Sequence, residues 1–100
     1  MNNQETANYY KFTVKQPGAR IVQYIEFIDD WATRQIEEYP DEYEWFFCDS
    51  ESSVKDKLRM CNKPLSRIKL KEENVIDRSE FERAWEAANS WKATNTFAKV

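Results

Sequence analysis

The chain has 100 residues, of which 41% are apolar and 15% aromatic, and it contains one glycine and no histidine. This length fits one domain, and aromatic rings that each bury roughly 150–250 Å² can fill its core. The net charge of −3 argues against a uniformly basic nucleic-acid binder. We therefore expect a single domain over residues 1–100, with loose tails at residues 1–8 and 94–100.

The first predicted element is a half-buried strand over residues 9–15. Tyr10, Phe12 and Val14 share one face at a period of two, and other residues alternate with them. A Gln-Pro-Gly sequence follows at residues 16–18. It predicts a turn, because proline and glycine interrupt regular structure.

Residues 19–38 predict a long N-terminal helix. Apolar residues recur there at spacings of three and four, at Ile21, Ile25, Ile28, Ala32 and Ile36. Pro40 ends this helix, because the residue before a proline resists the α conformation. Carboxylates crowd its C-terminal half, where the helix dipole disfavours them. We interpret these carboxylates as a surface kept for a partner or for solubility.

Residues 41–48 have two interpretations. Tyr43, Trp45 and Phe47 alternate with other residues as in a strand, and aromatic side chains favour strands. The acidic residues that follow Pro40 also suit the first turn of a short helix. We favour the strand.

Two further elements are predicted in the basic part of the chain. Ser53 can cap a helix of two to three turns that ends before Pro64. Residues 65–71 alternate apolar and basic side chains and predict a strand. One face of that strand is basic and open to water. This basic stretch can neutralise the acidic segment of its own domain, dock on an acidic partner, or contact phosphate. This face carries Arg67, Lys69 and Lys71.

The last predicted element is a helix over residues 78–92. Asp77 can cap it, and Glu80 three residues later completes a capping box. Ile76 and Phe81 form the hydrophobic staple around this cap. Together the elements predict an α+β fold, in which a short sheet packs against the long N-terminal helix and this C-terminal helix.

Charge is divided unevenly along the chain. Residues 26–53 carry ten carboxylates and one basic side chain, whereas residues 54–71 carry seven Lys or Arg and one Asp. Aromatic residues interleave with the acids, and Tyr and Trp are common anchors of protein interfaces. We therefore predict a partner-binding surface formed by Asp29, Asp30, Glu37, Glu38, Tyr39, Asp41, Glu42, Tyr43, Glu44 and Trp45.

The sequence offers little chemistry. Without histidine there is no imidazole base, and one glycine cannot build a phosphate-binding loop. Carboxylates of residues 37–44 lack the spacing of a Ca²⁺ loop, so we interpret them as a solvated face rather than an acid/base or metal site. Cys48 and Cys61 have neither zinc-finger nor disulfide spacing and are expected to be reduced, with a reactive thiol at Cys61 as the alternative. We predict no catalytic residue, no metal site and no cofactor.

We interpret the protein as a small non-catalytic interaction module of the phage or plasmid accessory type. Its partner would be a larger protein with a basic surface, which it inhibits or modulates, and nucleic-acid-handling proteins are candidates. The alternatives are a nucleic-acid-binding protein, a DNA mimic, and an immunity protein that neutralises a toxin nuclease. The sequence shows neither a signal-peptide pattern nor an apolar run of roughly 20 residues. We therefore expect a cytoplasmic protein with no membrane partner.

Overall fold

One antiparallel sheet and two α-helices organise the described part of the protein, residues 6–98 of the computed structural model, in which residues 16 and 95–98 are described by their backbone alone. In chain order the elements are β1 (Ala7–Gln16), β2 (Ala19–Ile28), β3 (Trp31–Tyr39), β4 (Glu44–Asp49), α1 (Val54–Lys57), β5 (Val75–Ile76) and α2 (Arg78–Ala98). The strand order in the sheet is β4-β3-β2-β1-β5. Hairpins connect β1 to β4 in sequence, and β5 returns to the outer edge of β1.

The first strand and its turn are confirmed. β1 covers residues 9–15 and begins earlier, at Ala7. Gln16 pairs with Ala19, so Pro17 and Gly18 alone form the loop to β2. Gly18 has a φ of +80°, which glycine adopts without strain and proline cannot adopt. The order Pro-Gly thus places the positive φ at the second central residue, as a type II turn requires.

The long helix predicted over residues 19–38 is wrong, because these residues form β2 and β3. Asp29 and Asp30 make the turn between the strands, and Asp29 has a φ of +57°, which Asp tolerates better than most residues. The sheet is covered on both faces, so β2 carries apolar side chains on both sides. A strand of this kind lacks the alternation of a half-buried strand, and its apolar residues matched a helical spacing by coincidence.

A β-bulge in β3 lies opposite Glu26. Glu26 pairs with Arg34 and the next residue of β2 pairs with Ala32, so Thr33 is an additional residue on β3. The bulge brings two side chains to one carboxylate: the Thr33 hydroxyl donates to Glu26 Oε1 at 2.7 Å, and Arg34 Nε donates to the same atom at 2.9 Å. Arg34 Nη2 completes the pair by donating to Oε2 at 2.7 Å.

Helix α2 covers one face of the sheet, which we call the helix face. The buried cluster of this face consists of Tyr9, Tyr24, Ile36, Phe81, Ala84 and Ala88. Arg34 lies beneath α2, with its guanidinium carbon 4.8 Å from the ring centre of Phe81 and 5.0 Å from that of Trp85. The same guanidinium donates to both carboxylate oxygens of Glu82, at 3.0 and 2.8 Å. Apolar packing and charge therefore both attach α2 to the sheet.

Residues 54–74, which we call the crossing segment, cover the opposite face. The cluster on this side consists of Tyr10, Phe12, Ile25, Phe27, Ala32, Cys61, Leu65 and Ile68. Gln35 of β3 is 2% exposed and holds the segment to the sheet. Its Nε2 donates to the Arg59 carbonyl at 2.9 Å, and its Oε1 accepts from the Cys61 amide at 2.7 Å.

The strand predicted over residues 65–71 is wrong. Leu65–Arg67 is a 3₁₀ turn, and the chain between it and the next 3₁₀ turn is irregular. The Leu65 amide donates to the Asp30 carbonyl at 2.8 Å, and the Ser66 amide donates to the Asp30 carboxylate at 2.9 Å. These amides are therefore used by the β2–β3 turn and have no strand to pair with.

Both predicted helix caps are present. The Ser53 hydroxyl accepts from the Asp56 amide at 3.2 Å, although α1 is a single turn rather than two or three. The Asp77 carboxylate accepts from the Glu80 amide at 2.8 Å and begins α2. N-terminal carboxylate caps of this kind typically stabilise a helix by about 1 kcal/mol.

The predicted fold class needs correction. The described residues form a small single domain, but a five-stranded antiparallel sheet replaces the long N-terminal helix and the short sheet. The predicted loose tails also differ, because β1 begins at Ala7 and α2 continues to Ala98. Residues 1–5 and 99–100 of those tails lie outside the described residues.

Candidate functional site

The β3–β4 hairpin ends in a four-residue loop between the paired Tyr39 and Glu44. The Glu42 amide donates to the Tyr39 carbonyl at 3.0 Å. This bond closes a β-turn with Pro40 in its second position, where proline is favoured. Tyr43 then takes a φ of +55° and returns the chain to β4, in the manner of four-residue hairpin loops built around a turn.

Tyr43 is exposed and conformationally strained. Its exposed fraction of 86% is the largest among the large apolar and aromatic side chains of residues 6–94. A positive φ costs a residue with a side chain roughly 1–2 kcal/mol, which glycine would avoid. The fold gains little from an exposed ring in a strained conformation. Together, the strain and the exposure indicate a role for Tyr43 outside the fold.

A groove of about 400 Å³ lies beside Tyr43 in residues 38–45, which we call the hairpin tip. It is lined by residues 38–40 and 43–45 of the tip and by Trp91 of α2. Trp45 is half-buried and packs against the buried cluster of the helix face. Trp45 therefore forms a fixed wall of the groove, while Tyr43 extends into solvent. Such a combination of anchored and exposed aromatic surface is typical of places that bury a partner's side chain.

The charge of the hairpin tip is negative. Its carboxylates are Glu38, Asp41, Glu42 and Glu44. Arg20 on β2 lies 3.9 Å from Asp41, in an exposed pair that contributes little to stability. Within residues 6–98, the other three carboxylates have no ion-pair partner. The tip therefore presents an uncompensated negative field to an approaching molecule.

Glu37 lies outside the hairpin tip, and it binds the hydroxyl of Tyr39. Glu37 is 7% exposed, and its carboxylate accepts from Arg59 Nη2, from Gln23 Nε2 and from the Tyr39 hydroxyl, each at 3.0 Å. Burial and the charge of Glu37 raise the pKa of Tyr39. Both residues were predicted to contact a partner; their polar groups make hydrogen bonds within the fold, while Tyr39 also lines the groove beside Tyr43.

Arg59 is the residue of the basic stretch that pairs with the acidic segment, through Glu37. Its guanidinium carbon lies 4.1 Å from the ring centre of Phe46 and 6.0 Å from that of Tyr39. Arg59 Nη2 also donates to the Tyr39 hydroxyl. Of the seven basic residues in 54–71, Arg59 is the one that forms an ion pair within the described residues. No spacing in the sequence indicates this contact, because it depends on how the crossing segment returns beneath β3.

Asp29 and Asp30 lie in the β2–β3 turn, at the opposite end of these strands from the hairpin tip. The Asp30 carboxylate accepts from the Ser66 amide and from its hydroxyl, at 2.9 and 3.2 Å. The Asp29 amide donates to the Thr6 carbonyl at 2.8 Å. The structure therefore separates this pair from the other predicted partner-binding residues and gives it contacts that hold the chain in place.

The predicted basic residues are also only partly brought together. Lys69 and Lys71 are exposed and line a groove of about 570 Å³ beside Phe12 and Thr13 of β1. Arg67 is exposed but does not line this groove. The groove therefore brings together two of the three predicted basic residues, and their role in binding stays a prediction.

The two cysteines, both free, differ in burial. Burial raises the pKa of the Cys48 thiol to about 11, so this thiol stays protonated at neutral pH and is a poor nucleophile. Cys61 is half-buried and its sulfur lies 3.7 Å from the Lys63 carbonyl oxygen. Across residues 6–98, no group of three or more Cys, Asp or Glu side chains is placed to hold a metal ion.

None of the helices in residues 6–98 combines the length and the apolar character that crossing a membrane requires. Comparison with known proteins adds no family: no family model, no curated protein and no solved structure matches the chain. The function must therefore be argued from the hairpin tip and the other surfaces of the chain itself.

Proposed function

We propose that this protein is a small non-catalytic binding module whose hairpin tip binds a basic surface of a larger protein and thereby inhibits or modulates it. The observation that carries the proposal is the exposed ring of Tyr43, which lies beside a groove. The backbone of this residue is held at a φ of +55°. Exposed Tyr and half-buried Trp side chains supply contact area at a low cost in conformational entropy. The carboxylates around them favour a partner that presents Lys or Arg.

The three unpaired carboxylates of the tip support a role in the rate of encounter. Exposed charges steer association and contribute less to the lifetime of a complex. The two aromatic side chains would supply that lifetime, because truncating an interface anchor typically costs about 2–4 kcal/mol of binding free energy. We therefore propose that the association rate is raised by Glu38, Glu42 and Glu44. The lifetime of the complex would be lengthened by Tyr43 and Trp45.

The alternatives receive less support from the arrangement of charge. A DNA mimic needs a row of carboxylates that stand in for phosphates, but Glu26 and Glu37 are buried in ion pairs and Asp29 lies at the far end of the sheet. An immunity protein would use the same hairpin tip to block a basic nuclease. It is therefore a special case of our proposal, in which the partner is a nuclease. We propose a cytoplasmic location, which the free thiols of Cys48 and Cys61 support.

Capture from a host lysate tests the proposal. Three baits, each checked to be folded, are compared: the wild type, Tyr43→Gly, and a tip-reversal variant with Glu42→Lys and Glu44→Lys. The partner should be retained by the wild type and lost or much reduced with both variants. A matched control reverses the exposed Glu51 and Glu86 to Lys, which changes the net charge by the same amount away from the tip.

The purified partner then separates the two roles. Tip reversal should lower the association rate and flatten its dependence on salt, whereas Tyr43→Gly should mainly raise the dissociation rate. Equal capture of one partner by the wild type and both tip variants would show that the hairpin tip is not the binding surface.

A further inference from the structure

The outer edge of β1 is open over its second half. β5 pairs with β1 only at Tyr9 and Tyr10, although β1 continues to Gln16. The next backbone group of β1 that faces outward is the Lys11 carbonyl, which accepts a hydrogen bond from Asn74 Nδ2 at 2.9 Å. Outward and inward backbone groups alternate along an antiparallel edge strand. The amides and carbonyls of residues 13 and 15 therefore also face outward.

These outward groups have no hydrogen-bond partner in the part of the chain that the structure describes. Neither Thr13 nor Lys15 donates or accepts a backbone bond on this side. An unpaired edge of this kind is a template for another strand. Proteins that recognise extended peptides use such an edge, with main-chain bonds for affinity and adjacent pockets for specificity.

The groove of about 570 Å³ described above lies along this same edge. Lys69 and Lys71 line it from the crossing segment, and Lys15 lies further along β1. None of these three ammonium groups has an ion pair within residues 6–98, and Glu73 is the one carboxylate that lines the groove. Like charges oppose the pairing of two copies of β1 through this edge. The same charges favour an acidic strand.

We propose that the edge of β1 at residues 11–16, with Lys69 and Lys71 beside it, binds an extended acidic segment of another protein by strand addition. The segment's backbone pairs with the amides and carbonyls of Thr13 and Lys15. Its alternate side chains lie over the groove, where acidic residues meet Lys69 and Lys71. This surface is formed by β1 and the crossing segment and is separate from the hairpin tip, so the two proposals stand or fall independently.

Two matched peptides test the pairing of backbones. The first is a capped heptapeptide in which Glu alternates with Thr and Val, and the second has the same sequence with its alternate amides N-methylated. The first should bind the full chain with an affinity that falls as salt rises, and should slow hydrogen exchange at the amides of Thr13 and Lys15. N-methylation should weaken binding by at least about tenfold, because it removes main-chain donors and leaves the charge unchanged.

A pair of protein variants tests the lysines. Lys69→Glu with Lys71→Glu should abolish binding of the first peptide, whereas Lys55→Glu with Lys57→Glu makes the same change of charge on α1 and should leave binding intact. The proposal is wrong if millimolar peptide slows exchange at neither amide, or if both peptides bind equally. It is also wrong if a single-stranded oligonucleotide, rather than the peptide, binds with this dependence on Lys69 and Lys71, because the surface would then recognise phosphate.

Discussion

Arg34 and Glu26 form a two-bond ion pair beneath α2, with Nε donating to Oε1 at 2.9 Å and Nη2 donating to Oε2 at 2.7 Å. Burial raises the pKa of Glu26, but the hydrogen bonds from Arg34 and Thr33 outweigh it and hold that pKa below its ordinary value. The hydrogen bond from Arg34 likewise lowers the pKa of Glu82. One guanidinium therefore stabilises the charged forms of two carboxylates on different elements.

This pair predicts a dependence of stability on pH. The folded pKa of Glu26 is below its unfolded value of about 4.3, so its contribution is fully present above that pH and is lost as pH falls through the folded pKa. Arg34→Met should cost about 3–5 kcal/mol at pH 7, because it leaves a buried carboxylate unpaired. Burial then opposes the ionisation of Glu26, with Thr33 as a remaining donor, so the deficit should shrink as pH falls from 7 towards 4. Urea unfolding at several pH values measures this.

Arg78→Met is the control for that experiment. Arg78 makes an exposed pair with Glu82, with Nε 3.4 Å from Oε2, and such pairs contribute at most about 1 kcal/mol. An Arg34→Met deficit that is small, or that is the same at pH 7 and pH 4.5, would contradict the assignment of Glu26 as a buried anion.

Gln35 predicts a second effect on stability. Gln35→Leu keeps a similar volume but leaves the Arg59 carbonyl and the Cys61 amide without their partner. We expect a loss of about 2–4 kcal/mol in urea unfolding, since each unsatisfied buried group costs about 1–3 kcal/mol. In this variant, hydrogen exchange at the Cys61 amide should become faster under conditions in which the protein as a whole remains folded. The control is Asn62→Leu, which replaces an exposed side-chain amide nearby and should change neither the stability in urea nor the exchange at Cys61. Unchanged exchange at the Cys61 amide in Gln35→Leu would show that Gln35 does not hold the crossing segment to the sheet.

The strained backbone at Tyr43 predicts a conflict between stability and binding. Tyr43→Gly should be more stable than Tyr43→Ala by about 1 kcal/mol, because only glycine relieves the cost of a positive φ. Both variants remove the ring and should lose the partner equally. Thermal unfolding of the pair checks the first statement. An alanine variant as stable as the glycine variant would mean that the loop does not hold residue 43 at positive φ in solution.

The two thiols should differ in reactivity. Cys61 should react with iodoacetamide at pH 8, whereas Cys48, whose pKa burial raises to about 11, should react only through unfolding. In a Cys61→Ala variant, labelling of the remaining thiol should therefore follow the unfolding equilibrium in urea. Labelling of Cys48 at the rate of a free thiol in native buffer would contradict its burial.

Local signals in the sequence were sufficient where an element depends on neighbouring residues. The alternation of Tyr10 and Phe12 predicted β1, and the Pro17-Gly18 turn and the Asp77 cap lie where their chemistry requires. The alternating aromatic residues of 43–47 likewise indicated β4. In each case, a few adjacent side chains carry the information.

Signals failed where the environment is set by distant residues. β2 is covered by α2 on one face and by the crossing segment on the other, so Ile25 and Tyr24 are both buried and no alternation is visible. The pairing of Glu26 with Arg34 depends on a turn at Asp29 that neither glycine nor proline marks. The predicted partner-binding residues are accordingly divided: residues 38, 39 and 41–45 lie at the hairpin tip, whereas Asp29, Asp30 and Glu37 make contacts elsewhere in the fold, and binding by any of them stays a prediction.

Completion of the helix face has a consequence for the newly made chain. Tyr9 near the start of β1 packs against Phe81 of α2, with ring centres 5.2 Å apart. Until α2 is synthesised, the hairpins would present Tyr24 and Ile36 to solvent without a cover. Contacts between such distant parts of a sequence slow folding, so we expect chaperones to bind this surface during translation. A chain that stops before residue 78 would therefore have a sheet with exposed apolar residues on its helix face and would not be a smaller stable domain.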